Sequence, residues 1–186
     1  MLTVIGCGNL NRCDDGVGII VVRQLMQIFA DETVNQNEAP QHRAAPQKKP
    51  SLHTDNGSPP HHRKLKFFDA GTDGMGVMFQ ARGAESLILI DASKTGSEAG
   101  AIFEVPGAEL AGKPVESFNL HDFRWDHALY AGRKIFQDNF PNEVIVYLIE
   151  AGTLEMGETL TPKVANAAEK VTKMIAARIK DYAKTN

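Results

Sequence analysis

Apolar residues fall along this chain in two alternating rhythms, short unbroken runs and longer stretches at helical spacing. Leu2–Ile5 is a short run ending at Gly6 and predicts a buried strand. Asp14–Phe29 predicts a helix: Val17, Val21, Leu25 and Ile28 recur at helical spacing with Ile20 beside them, and Asp14 or Asp15 is placed to cap its start. Leu65–Phe68 predicts a strand ending in Asp69, then a turn over Gly71–Gly74 and a helix over Met75–Ala81. Leu87–Ile90 is a wholly apolar strand ending in Asp91, and Ala101–Val105 is a further strand. His121–Phe136 predicts a helix with Trp125, Ala128, Leu129 and Ile135 on one side, and Val144–Ile149 is the last buried strand. Thr161–Tyr182 carries the clearest helical stripe, Val164, Ala168, Val171, Ile175, Ile179 and Tyr182. Thr161 is expected to cap it, with Pro162 in the first turn, where a missing N–H costs nothing.

Buried strands alternating with helices predict an α/β fold, a parallel sheet covered on both faces. A chain of 186 residues has room for one domain with a sizeable core, so residues 1–186 are read as a single unit without internal repeats. Asn35–Arg63 breaks the pattern. It holds five of the nine prolines and four of the six histidines, and its only apolar residues are Leu52 and three alanines. Such a segment cannot bury enough surface to offset its ordering entropy, so it is expected to be a mobile loop inserted into the domain.

Charge and cysteine content narrow the function classes. A net charge of −3 gives no electrostatic reason for nucleic acid or an anionic membrane as partner. The only two cysteines, Cys7 and Cys13, form no disulfide framework, which fits a reducing compartment. The N-terminus has no basic region followed by a long apolar one, and no apolar run reaches the roughly 20 residues of a spanning helix. A soluble cytoplasmic protein is expected.

In parallel sheets, sites gather at the carboxyl ends of the strands. Asp15, Asp69 and Asp91 fall just past three such ends. Each alone reads better as a helix cap than as a functional group. Packed together, the carboxylates repel, and a cation would relieve that repulsion. Two of them with His121 would make an Asp/Asp/His set of the kind that suits nickel, zinc or another borderline divalent ion. His127 is read as surface or core, and the four histidines of the Asn35–Arg63 segment as solvated. Gly6-Cys7-Gly8-Asn9 lies between a strand and a helix, as a dinucleotide loop does, but Asn11 stands where the third glycine belongs. Asp14 and Asp15 at the helix entrance would also repel a pyrophosphate. Gly-x-Ser-x-Gly and His-Glu-x-x-His are both absent, so serine and conventional zinc-protease mechanisms lack support. Cys7 and Cys13 have no histidine near in sequence and are read as structural or incidental.

Four motifs in order carry a family resemblance. Gly6-Cys7-Gly8-Asn9 followed by Asp14-Asp15-Gly16-Val17-Gly18, then Asp69-Ala70-Gly71-Thr72-Asp73-Gly74-Met75, then Ile90-Asp91-Ala92, and finally Leu160-Thr161-Pro162-Lys163-Val164 resemble the hydrogenase maturation proteases. The resemblance covers nearly the whole chain apart from Asn35–Arg63. It implies a three-layer α/β/α sandwich around a twisted, mainly parallel sheet. It implies an endopeptidase that removes the C-terminal extension of a [NiFe]-hydrogenase large-subunit precursor, a monomer whose nickel arrives with the substrate, although other divalent ions could occupy the site. The family's metal-contacting trio carries over onto Asp15, Asp91 and His121, with Asp15 and Asp91 as candidate catalytic groups. Asp69, Gly71 and Thr72 carry over as substrate-binding residues. The context of His121, Asn119-Leu120-His121-Asp122-Phe123, departs from the commoner family pattern, which keeps His127 as an alternative ligand. Two other readings stay open: a metal-dependent hydrolase with a small substrate, and a nickel-checking chaperone that does not cut.

Overall fold

The computed structural model describes residues 1–37, 65–110 and 124–184, with the backbone alone for 31–37. Its elements in chain order are β1 (Leu2–Cys7), α1 (Val17–Asn37), β2 (Leu65–Gly71), α2 (Gly74–Ala81), β3 (Ser86–Ser93), β4 (Ile102–Pro106), α3 (Trp125–Phe136), β5 (Glu143–Glu150) and α4 (Pro162–Lys184). The strands form one sheet in the order β2-β1-β3-β5-β4. The first four of these run parallel, and β4 closes the edge antiparallel to β5.

Alternation along the strands builds two cores. Leu2, Val4, Ile88, Ile90, Tyr147 and Ile149 face α1 and α4, where Val17, Val21, Leu25, Val164, Ala168, Val171, Ile175 and Ile179 meet them. Ile5, Leu87, Leu89, Val144 and Val146 point the other way, onto Val77, Met78 and Ala81 of α2 and Trp125, Ala128 and Leu129 of α3. Each Val, Leu, Ile or Met among them contributes about 1.5–3 kcal/mol on burial, so both faces of the sheet must be covered. The result is the three-layer α/β/α sandwich with a mainly parallel sheet.

Four expectations change in detail. Ile135 is 62% exposed, and Gly132 takes its place on the buried face of α3, against the Phe140 ring. Asp69 and Asp91 lie inside β2 and β3, which run past them to Gly71 and Ser93. Asp14 does not serve α1: its carboxylate accepts from Gly152, Thr153 and Thr161 across the chain. The Thr161 hydroxyl expected to cap α4 donates to Asp14. Helix α1 extends through Asn37, and the rest of the Asn35–Arg63 segment lies outside the described residues, as does His121.

Candidate active site

The loop from Gly8 to Gly16 joins β1 to α1, and its shape follows from close packing. Gly8 has φ of +127°, and a Cβ there would lie 1.8 Å from the carbonyl oxygen of Asp15. Only glycine fits, and the contact seats Asp15 at the base of the loop. The Gly8 N–H also donates to the Gly71 carbonyl at 2.9 Å, joining the ends of β1 and β2.

A second set of bonds fixes this loop to the segment after β5. Cys13 N–H donates to Gly157 O at 2.7 Å, Gly157 N–H to Asn11 O at 3.0 Å, and Arg12 Nε to Leu154 O at 3.0 Å. Asp14, fully buried, accepts from the backbone N–H groups of Gly152 (2.8 Å), Thr153 (3.0 Å) and Thr161 (2.6 Å), and from the Thr161 hydroxyl (3.0 Å). A buried carboxylate is tolerated where donors saturate it, and here four do. The paired acids thus divide their work: Asp14 faces inward and holds the loops, while Asp15 faces the cleft.

That cleft, of about 350 Å³, opens at the carboxyl ends of β1, β2 and β3. Asp15 and Asp91 both line it, with Gly71, Thr72, Arg12, Arg124 and Trp125. Asp69, grouped with them in the sequence reading, does not line it. Its Oδ2 accepts from Arg23 at 2.7 Å and its Oδ1 from the Gly71 N–H at 3.1 Å, so it lies in a neighbouring depression across the Gly8–Gly71 junction. Gly71 and Thr72 border both hollows. His127 lies on α3 with its Nδ1 3.1 Å from Asp126 Oδ1, and it is not among the residues lining the cleft.

Asp91 is the more enclosed of the two cleft carboxylates. It is 6% exposed; Oδ1 accepts from the Ala92 N–H at 2.8 Å and Oδ2 from Trp125 Nε1 at 2.7 Å. Arg124 stands 3.7 Å from Oδ2 on a largely exposed side chain. Burial pushes the Asp91 carboxyl up to about 6 and the Asp15 charge adds to that, against the lowering effects of Ala92, Arg124 and Trp125. A carboxyl that changes charge near pH 6 suits proton transfer near neutrality. Cys7 also borders the cleft, but burial and the Asp91 and Asp69 charges raise its thiol well above the ordinary value, despite Arg124. The thiolate needed by a nucleophile is therefore disfavoured, which agrees with a structural role for Cys7.

The sequence reading missed Arg12 and Arg124 and took Trp125 for core alone. Arg12 could have been singled out, since it lies inside the Gly8–Asp15 loop. The Trp125–Asp91 bond joins residues 34 positions apart, and no local pattern shows it.

The donor set also bears on a metal. Among the described residues no group of three or more His, Cys, Asp or Glu side chains could hold an ion. What the cleft offers is two carboxylates with two guanidiniums beside them. Oxygen donors without a closed shell fit a divalent ion that brings most of its own ligands.

Comparison with known proteins adds to this geometry. Residues 51–178 match the family model for hydrogenase maturation protease. The fold resembles the hydrogenase maturating endopeptidase HybD from E. coli, with a TM-score of 0.68 at 20% identity over 97% of this chain and 93% of that one. It also resembles the [NiFe] hydrogenase maturation proteases of Thermococcus kodakarensis. HycI gives a TM-score of 0.62 at 14% identity, over 96% of this chain and 92% of that one. HybD gives 0.62 at 18%, over 96% and 97%. No curated protein sequence matches the chain significantly. The family match starts at residue 51, whereas these structural likenesses extend over the N-terminal loop that carries Asp15.

Proposed function

The chain belongs to the hydrogenase maturation protease family, and from that premise we propose that its cleft receives the C-terminal segment of a nickel-loaded [NiFe]-hydrogenase large-subunit precursor and cuts off the extension. The protein is an endopeptidase of hydrogenase maturation, and its partner is a hydrogenase large-subunit precursor. The observation that carries the finer reading is the meeting of Asp15 and Asp91, 76 positions apart in sequence, in one cleft.

In this reading nickel is part of the substrate, and Asp15 and Asp91 contact it from the protein side, with His121 as the third contact. Nickel so bound would lend Lewis acidity at the scissile bond. The chain's own groups do the rest. Asp91, ionised, accepts a proton from the attacking water and returns it to the leaving amine. Gly71 and Thr72, beside the cleft, border the peptide's path. Arg12 and Arg124 offset the negative charge of the carboxylates before substrate arrives and that of the tetrahedral intermediate afterwards. No described helix is long and apolar enough to cross a membrane, and action as a cytoplasmic monomer completes the proposal.

Asp15→Asn and Asp91→Ala test it. Each removes one carboxylate from a cleft wall, so cleavage of the nickel-loaded precursor should fall roughly 10²–10⁴-fold with the circular dichroism spectrum unchanged. Near wild-type cleavage in Asp91→Ala would remove Asp91 from the chemistry. Tight binding of the precursor by the wild type without any cutting would make the protein a chaperone instead.

A further inference from the structure

Trp125 opens α3 and is the chain's single tryptophan. The residue is 8% exposed and belongs to the core beneath α2 and α3, with Val77, Leu89, Ala128 and Leu129. A buried indole N–H usually finds an acceptor, and a backbone carbonyl would satisfy it. Here the acceptor is a carboxylate of the cleft, Asp91 Oδ2, at 2.7 Å.

The other Asp91 oxygen accepts from the Ala92 N–H at 2.8 Å. One donor on each oxygen fixes the plane of the carboxylate, and both donors are rigid: one is backbone, the other a ring clamped in the core. Arg124 cannot do the same, since it stands 3.7 Å away on a side chain 65% exposed. We infer that Trp125 is the positioning residue for Asp91: its N–H holds the carboxylate in one orientation, so that the remaining lone pairs meet substrate without reorganisation. This rests on the reading that Asp91 acts in cleavage. The gain from such preorganisation appears in turnover more than in binding.

Two substitutions remove the N–H while keeping an aromatic ring in the core. One is Trp125→Phe. The other replaces tryptophan biosynthetically with benzothienylalanine, whose sulfur stands where the N–H was; with one tryptophan in the chain, the change is confined to this site. In both, kcat on the loaded precursor is expected to drop roughly tenfold or more, with KM within about twofold and the circular dichroism spectrum of a folded protein; the lost donor to a buried carboxylate lowers the melting temperature. If Trp125→Phe repacks badly, the benzothienyl protein still decides the matter, because it keeps the shape. Unchanged kcat in the benzothienyl protein would overturn the inference.

A second readout does not depend on activity. Nitrogen-15 labelling gives one indole N–H resonance, which should move on Asp91→Ala and stay put in Asp126→Ala. An indole resonance indifferent to Asp91→Ala would also overturn the inference. If the wild type leaves the loaded precursor whole while that resonance still answers to Asp91, the bond is real but the protease reading fails, and the catalytic part of this inference fails with it.

Discussion

Two buried acids show how neighbours decide the charge of a carboxyl. Glu150 and Asp91 are both enclosed, and burial alone raises each. At Glu150 the opposing donors win: the N–H groups of Thr95 and Gly96 and the hydroxyls of Ser93 and Thr95 bring it down to about 2 from an ordinary 4.5. At Asp91 two donors and the exposed Arg124 guanidinium, 3.7 Å away, do not overcome burial, and the carboxyl is raised to about 6. The first is a structural anchor that remains ionised, the second a group able to exchange a proton. The sign for stability follows. A depressed folded value means that Glu150 stabilises the fold fully above about 4.5, and that this contribution fades as pH falls toward about 2. Urea denaturation of wild type and Glu150→Gln should therefore show a stability gap at pH 6 that narrows between pH 4.5 and 2. A gap independent of pH over that range would assign the loss to packing. At this scale the sequence showed which aspartates could be chemical. It did not separate Asp14, which holds loops together, from Asp15, which lines the cleft, because adjacent residues differ here only in the direction they face.

The elements were more legible than their ends. Apolar runs located all five described strands, unbroken in β3 and β5 and interrupted by Thr3, Lys66 and Glu104 in the others. In α4 the predicted Val164, Ala168, Val171, Ile175 and Ile179 are buried, Tyr182 is only partly so, and Ala167 and Thr172 join them. Ile135 failed for a geometric reason. It lies ten residues beyond Trp125, and at about 100° per residue that turns it off the buried face, where Gly132 lies two turns on. Strand ends failed because Asp69 and Asp91 were read as terminators, whereas pairing with β1 and β5 carries β2 and β3 beyond them. The approach of α1 to the sheet was legible only as a glycine without a reason. A Cβ on Gly18 would come within 2.3 Å of Ile90 O and 2.4 Å of Cys7 O, so the first turn of α1 rests directly on the strand ends that carry the site. Gly18→Ala should cost about 1–3 kcal/mol through this overpacking, even though alanine is the better helix former. It should also lower cleavage by displacing the Asp15 loop from Asp91. Chemical denaturation and the precursor assay measure the two effects, and an alanine variant as stable and active as wild type would show that the contact yields without strain.

For the molecule as a whole, the sandwich places the ends of β1, β2 and β3 side by side, and the loops after β1 and β5 are tied together through Asp14, Arg12 and Gly157. The cleft is therefore a product of topology, assembled from segments far apart in sequence. That is why spacing showed strand-end carboxylates but not the Asp15–Asp91 pairing or the placing of Asp69 outside the cleft. His121 falls outside the described residues, and the proposal that it is the third nickel contact rests on the order of the motifs around it, since its own context departs from the commoner family pattern. The most direct measurement is the mass of a [NiFe]-hydrogenase large subunit before and after incubation with this protein, nickel-loaded in one sample and nickel-free in the other. The loaded precursor should lose a C-terminal fragment while the nickel-free one keeps its mass; an intact loaded precursor, or equal loss from both, would rule out nickel-dependent processing by this protein.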